Sequence, residues 1–170
     1  EVHISNGLPA FTMVGLAETT VRESRDRVRS ALLNSHFEFP DRRITVNLAP
    51  ADLPKSGGRY DLPIALGILL ASRQLPEAVM EGSECLGELA LDGELRPVRG
   101  AMSATLAATR AGHKVVLPEA NRARCSIVPA SQLVCAKDLL TLCAVLRGHP
   151  EPQSAPQPAP HETLAPGPDL

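Results

Sequence analysis

Over the first 149 residues the apolar positions switch between a period of two and a period near 3.6, so strands and helices interleave. Val2-His3-Ile4 and Phe11-Thr12-Met13-Val14 read as short strands joined by a turn at Asn6-Gly7. Residues 18–35 read as one helix. At about 100° per residue, Val21, Ser24, Val28, Ala31, Leu32 and Ser35 fall within an arc roughly 100° wide. Residues 44–48 alternate as a strand. Residues 62–71 are nearly all apolar, which predicts a buried helix with Asp61 as its N-cap and Pro63 in its first turn. Residues 86–98 predict a hairpin turning at Asp92-Gly93. An Ala-rich helix follows over 101–111, closed by Gly112. Strands at 115–117 and 133–135, and a helix at 139–147 closed by Gly148, complete the pattern. The prediction is one mixed α/β (α+β) layer domain.

Composition narrows what such a domain can do. The chain has 170 residues, room for one compact domain with a tail. Apolar residues make up 44% but aromatic residues only 2%, so the core is aliphatic. So few aromatics argue against a protein that reads bases by stacking. A net charge of −2 excludes a polycation that coats nucleic acid or anionic lipid. No apolar run reaches the roughly 18 residues of a membrane-spanning helix. The start, Glu1-Val2-His3-Ile4, has neither the basic nor the apolar region of a signal peptide and reads as a cut inside a longer chain.

Cys85, Cys125, Cys135 and Cys143 form no Cys-x-x-Cys pair and have no His at zinc-ligand spacing. They read as free thiols packed as small hydrophobes in a cytoplasmic protein. Proline density rises abruptly near residue 149. Nine of the sixteen prolines fall in residues 1–149 and seven in the last 21. Residues 150–170 therefore read as a disordered, semi-rigid Pro-rich linker toward another domain.

Three places carry candidate chemistry. The loop Pro54-Lys55-Ser56-Gly57-Gly58-Arg59-Tyr60-Asp61 joins glycines and two cations to the start of a helix, where exposed amides attract anions. It is not a Walker A loop, and it also suits a structural connection. Arg22, Arg25 and Arg29 share a helical stripe at i, i+3 and i+7 that could follow a phosphate backbone. Arg27 belongs to the same run, and Arg42-Arg43 is a weaker version of the signal. Glu18 and Asp26 lie at salt-bridge spacing from Arg22, so a solvated charged face is the alternative. Catalysis finds no support in spacing. The five His are scattered, no Gly-x-Ser-x-Gly elbow occurs, and Asp52, Asp61 and Asp92 suit caps or turns.

Four long runs, in order, carry a family resemblance. They are Ile4-Ser5-Asn6-Gly7-Leu8-Pro9-Ala10-Phe11-Thr12-Met13-Val14-Gly15-Leu16, Val21-Arg22-Glu23-Ser24-Arg25-Asp26-Arg27-Val28-Arg29, Arg43-Ile44-Thr45-Val46-Asn47-Leu48-Ala49-Pro50-Ala51-Asp52-Leu53-Pro54-Lys55 and Asp61-Leu62-Pro63-Ile64-Ala65-Leu66-Gly67. Over residues 1–149 the chain resembles the N-terminal domain of the ComM/YifB group of "Mg chelatase-like" proteins, often labelled ChlI-type. The resemblance implies that an AAA+ ATPase domain follows the linker, with ATP and Mg bound there and no cofactor or metal in residues 1–149. It also implies a hexameric parent helicase that promotes DNA branch migration in natural transformation.

The same domain resembles the proteolytic domain of Lon and the C-terminal domain of RadA, which implies a Lon-like fold. Lon's motif Pro-Lys-Asp-Gly-Pro-Ser-Ala-Gly aligns with Pro54-Lys55-Ser56-Gly57, and the nucleophile position falls on Arg59. Lon's catalytic Lys aligns with Met102, in a register supported by the hairpin at 86–98. A Ser–Lys dyad needs an amine as base for the hydroxyl, and both members are replaced. The expectation is a non-catalytic module with no membrane contact. It would contact DNA through Arg22, Arg25, Arg29, Lys55 and Arg59, self-associate as a ring, or do both. A pure scaffold without DNA contact is one alternative. A diverged peptidase using Ser56 and the adjacent Lys55 is another.

Overall fold

The computed structural model describes residues 1–149; the Pro-rich tail lies outside the described residues. A first sheet holds β1 (Val2–Ser5), β2 (Ala10–Val14) and β3 (Arg43–Asn47) in the order β1-β3-β2. The two strands expected on either side of the Asn6-Gly7 turn do not pair with each other. The later strand β3 inserts between them, antiparallel to β1 and parallel to β2. Ile44 and Val46 of β3 point into the core. At the end of β2 the chain turns through Gly15 at φ +104°, where a Cβ would lie 2.1 Å from the Leu48 carbonyl oxygen.

The single helix expected over 18–35 is broken at Glu23 into α1 (Thr19–Arg22) and α2 (Ser24–Asn34). The Thr20 carbonyl accepts a hydrogen bond from Arg27 Nη2, so an arginine takes a place in the helical ladder. The expected helical face is nonetheless the buried one: Val21, Ser24, Val28, Ala31, Leu32 and Ser35 are all buried. Next comes α3 (Asp61–Ala71), apolar all round because it is buried nearly all round. Its Gly67 lets β1 approach, since a Cβ there would meet Val2 Cγ2 at 2.5 Å.

A second sheet is fully parallel, in the order β4 (Ser83–Cys85), β7 (Lys114–Pro118), β8 (Leu133–Ala136). Central β7 is apolar on both faces because each face enters a different core. Val116 joins the main cluster with Leu62, Ile64, Leu69 and Leu142. Val115 and Leu117 join a smaller cluster under α4 (Ala101–Arg110) with Ala108, Cys125 and Cys135. Strand β4 has no counterpart among the expected elements, because three residues are too few to show a period. The expected hairpin is present but short, pairing β5 (Glu88–Leu89) with β6 (Leu95–Arg96). At its turn Asp92 Oδ1 accepts from the Glu94 N–H at 3.0 Å. The last helix, α5 (Leu139–Leu146), is capped by Asp138, which accepts from the Thr141 N–H.

All four cysteines are free thiols; Cys125, Cys135 and Cys143 are buried and Cys85 is half-buried. Burial pushes the Cys85 and Cys143 thiols up to about 12 from an ordinary 9.0. The fold thus favours the neutral thiol. Its stabilising effect is complete below about pH 9 and is lost as pH rises toward 12. In urea titrations, stability should therefore fall across that interval. At pH 8, Cys85 and Cys143 of the folded chain should alkylate far more slowly than in urea, as mass spectrometry would resolve; equal rates would refute the burial argument.

Gly15→Ala should destabilise the chain by about 2–3 kcal/mol, because left-handed strain adds to a clash with backbone. Gly82→Ala, at φ +62° in open space, should cost only about 1 kcal/mol. Urea midpoints of the two variants make the comparison.

Candidate functional site: an arginine-lined loop and cleft

Asp61 is not the N-cap expected of it. It is the first residue of α3, fully buried, and its carboxylate turns inward. Asp61 Oδ2 accepts from Arg27 Nε at 2.7 Å and from the Leu89 N–H at 3.1 Å, while Oδ1 accepts from Arg27 Nη2 at 3.0 Å. The same arginine reaches Thr20 O and Ser24 Oγ. The bond to Asp61 raises the guanidinium further above its ordinary value, against the opposing effect of burial. A bidentate Arg–carboxylate pair of this kind is both strong and directional. The Arg27–Asp61 pair thereby joins α1, α2, α3 and β5.

That pair anchors the loop before α3. The Lys55 N–H donates to Leu16 O, and the Glu18 N–H donates to Lys55 O. The Gly57 N–H donates to Thr20 Oγ1 at 3.2 Å. At the far end the Gly87 N–H donates to Arg59 O, and the Leu62 N–H donates to Gly87 O. The loop is therefore pinned to α1 on one side and to the segment leading into β5 on the other.

The five cations singled out from sequence separate into three groups. Arg22, Arg25 and Arg29 are exposed on the outer face of α1 and α2. Among the described residues none of them forms an ion pair with Glu18 or Asp26; the ion pair on this face is Arg27 with Glu23. Arg22 Nε donates to Ala17 O, and the Arg29 guanidinium lies 5.2 Å from the centroid of the Phe39 ring. Lys55 is a correction to the expected surface set. It is only 5% exposed, and its ammonium donates to the Pro50 carbonyl. Its amine makes no hydrogen bond to Ser56, the partner that a peptidase reading requires. Arg59 is half-buried, and its Nη2 donates to Arg99 O at 3.0 Å.

That last bond brings the loop before α3 against the segment before α4. A cleft of about 420 Å³ lies between them, lined by Ser56, Arg59, Glu88, Val98 and Arg99. Met102 is 48% exposed in the first turn of α4. Arg99 and Arg124 also line this region, and sequence reasoning missed both. Arg99 follows the hairpin in Pro97-Val98-Arg99-Gly100, and only the fold sets it beside Arg59. Among the described residues no three His, Cys, Asp or Glu converge as a metal-ligand set, and no helix is long and apolar enough to cross a membrane.

Fold and site thus define a mixed α/β domain built around an ion-pair-anchored, arginine-lined loop. A family model described as "Subunit ChlI of Mg-chelatase" matches residues 1–121, and the chain belongs to that family. The chain is 56% identical over 148 residues to the uncharacterized protein YifB of Salmonella typhimurium, covering 87% of this chain and 29% of that protein. It is 51% identical over 148 residues to the competence protein ComM of Haemophilus influenzae, with the same coverage of 87% and 29%. An uncharacterized protein of Mycobacterium tuberculosis is 42% identical over 149 residues, 87% of this chain and 30% of its own length. The chain spans about three-tenths of the length of these curated relatives.

Replacing Arg27 by Leu leaves the Asp61 carboxylate buried and uncompensated. The expected loss is about 3 kcal/mol by urea unfolding. Arg27→Lys should recover only part of it, since an ammonium cannot match the two-pronged geometry. Arg25→Leu, on the exposed face, should stay within about 0.5 kcal/mol of the native chain.

Proposed function

We propose that this chain is a non-catalytic module of a ComM-like hexameric AAA+ ATPase that contacts DNA, helps to assemble the ring, or does both. In this reading the whole protein is a helicase that drives branch migration of DNA in natural transformation. ATP and Mg belong to a separate ATPase domain, and this module has a Lon-like fold without Lon chemistry. Identity of 51% to a competence protein supports the parent assignment. Arg59 and Met102, at the positions where the Lon motif has its nucleophile and its lysine, support the absence of peptidase activity.

The observation that carries the DNA reading is the stripe Arg22, Arg25 and Arg29. These side chains face solvent and none of them forms an ion pair among the described residues, while the opposite face of the same helices is buried. Such a stripe positions phosphates and reads no bases. Arg59 extends the basic surface toward the cleft.

A pure scaffold is the second reading. It draws on Leu8, Val14, Leu16 and Leu53, which are exposed along β2 and the loop beside it, with Leu8 at 81%. Strand β2 is also an edge of its sheet.

Binding to a labelled branched DNA, followed by fluorescence anisotropy over a salt series, tests the first reading. The chain should bind in a salt-sensitive manner. Reversing Arg22, Arg25 and Arg29 to Glu should weaken binding and flatten the log–log salt slope by at least about 0.9 per arginine. Unchanged affinity across the series would defeat the DNA reading. Light scattering on the same samples reports assembly, and ring formation without DNA binding would favour the scaffold.

A further inference from the structure

Two hollows on this side of the molecule share part of their lining. The first is the space of about 420 Å³ beside Arg59 and Glu88. The second, about 430 Å³, lies between the start of α4 and residues 121–124, where Met102, Asn121 and Arg124 line it. Val98 and Arg99 line both, so Arg99 sits at the junction. Arg59, Arg99 and Arg124 supply three positive charges along the walls. None of the three takes part in a salt bridge among the described residues. The bond from Arg59 to the Arg99 carbonyl orients the guanidinium without neutralising it. Glu88 is the acid lining these chambers, and its carboxylate lies against Gly58. Together the walls carry three cations and one acid, with an apolar patch at Val98 and Met102.

We propose that this cleft holds the sugar-phosphate backbone of an extended single strand of DNA, with Arg59, Arg99 and Arg124 as its phosphate contacts. The inference rests on the reading that DNA is the partner, and it assigns a second surface distinct from the Arg22–Arg25–Arg29 stripe. Chambers of this size accept nucleotide-sized groups, whereas a double helix needs an open surface. A guanidinium presents two parallel N–H donors to a phosphate. No aromatic side chain lines the cleft, so binding rests on phosphate contacts and carries no base readout. Glu88 repels the strand and limits its affinity.

The test uses the 170-residue chain and a fluorescein-labelled oligothymidylate of about 15 nucleotides, long enough to span such a groove. Anisotropy is measured over a salt series, with a duplex of equal length beside it. Arg99→Ala together with Arg124→Ala should weaken single-strand binding about tenfold or more. The salt slope should fall by about 1.4, at about 0.7 per phosphate contact. Duplex binding should be nearly unchanged. The paired Lys variants should keep the slope, and Glu88→Gln should tighten binding several-fold. Thermal melts check that these variants stay folded.

Native affinity and slope in the double Ala variant would overturn the inference. So would failure to bind the oligothymidylate while branched DNA still binds through Arg22, Arg25 and Arg29; in that case the broader DNA reading survives. Absence of all DNA binding removes both. Binding of polyglutamate but of no DNA would assign the cleft to an acidic peptide and would also overturn the inference.

Discussion

The buried pair between Arg27 and Asp61 is the constraint from which the functional surface follows. A carboxylate with no solvent exposure is held by two guanidinium bonds and one backbone N–H, all between 2.7 and 3.1 Å. Desolvating two charges is costly, and only near-ideal geometry with further hydrogen bonds offsets it. Here Arg27 Nη2 also reaches Thr20 O and Ser24 Oγ, and Nη1 lies 3.9 Å from the Glu23 carboxylate. The pair therefore sets where α2 meets α3 and where β5 meets both. Residues 55–60 are strung between those fixed points, and Arg59 emerges beside Arg99 as a consequence.

Around that pair the core is aliphatic and divided. Strand β7 supplies both halves, with Val116 facing one cluster and Val115 and Leu117 the other. The cleft opens where the smaller half, under α4, meets the loop before α3. Loops positioned by rigid elements are where binding residues concentrate, and this loop is unusually well tied at both ends. The order in its backbone, with the bond to the Arg99 carbonyl, fixes where the Arg59 guanidinium stands.

Membership of the ChlI family and close identity to YifB and ComM place the chain among proteins several times its length. Within that setting the chemistry of the site is informative. Arg59 and Met102 are two of the side chains that line this region. Neither donates or removes a proton at neutral pH, whereas an arginine binds anions well.

Much of the fold was legible because periodicity is local. The buried face of residues 21–35, the apolar helix at 61–71, the Asp92-Gly93 turn and the Gly-terminated helices all follow from spacing and capping chemistry within a few residues. Sequence alone also determined the aliphatic core, the free thiols and the long ordered motifs that carry the family. What it left open depended on contacts between distant residues. Strand β3 lies between β1 and β2 although it follows them by some thirty residues, and no local pattern encodes that insertion. Asp61 looked like a cap because a cap is its commonest local use; Arg27, 34 residues earlier, claimed it. Lys55 looked like a surface cation until the Pro50 carbonyl took its ammonium. Arg99 carried no signal until the hairpin placed it 40 residues back against Arg59. Local periodicity sets the elements, but a side chain's partner is set by how those elements pack, which only the tertiary structure decides.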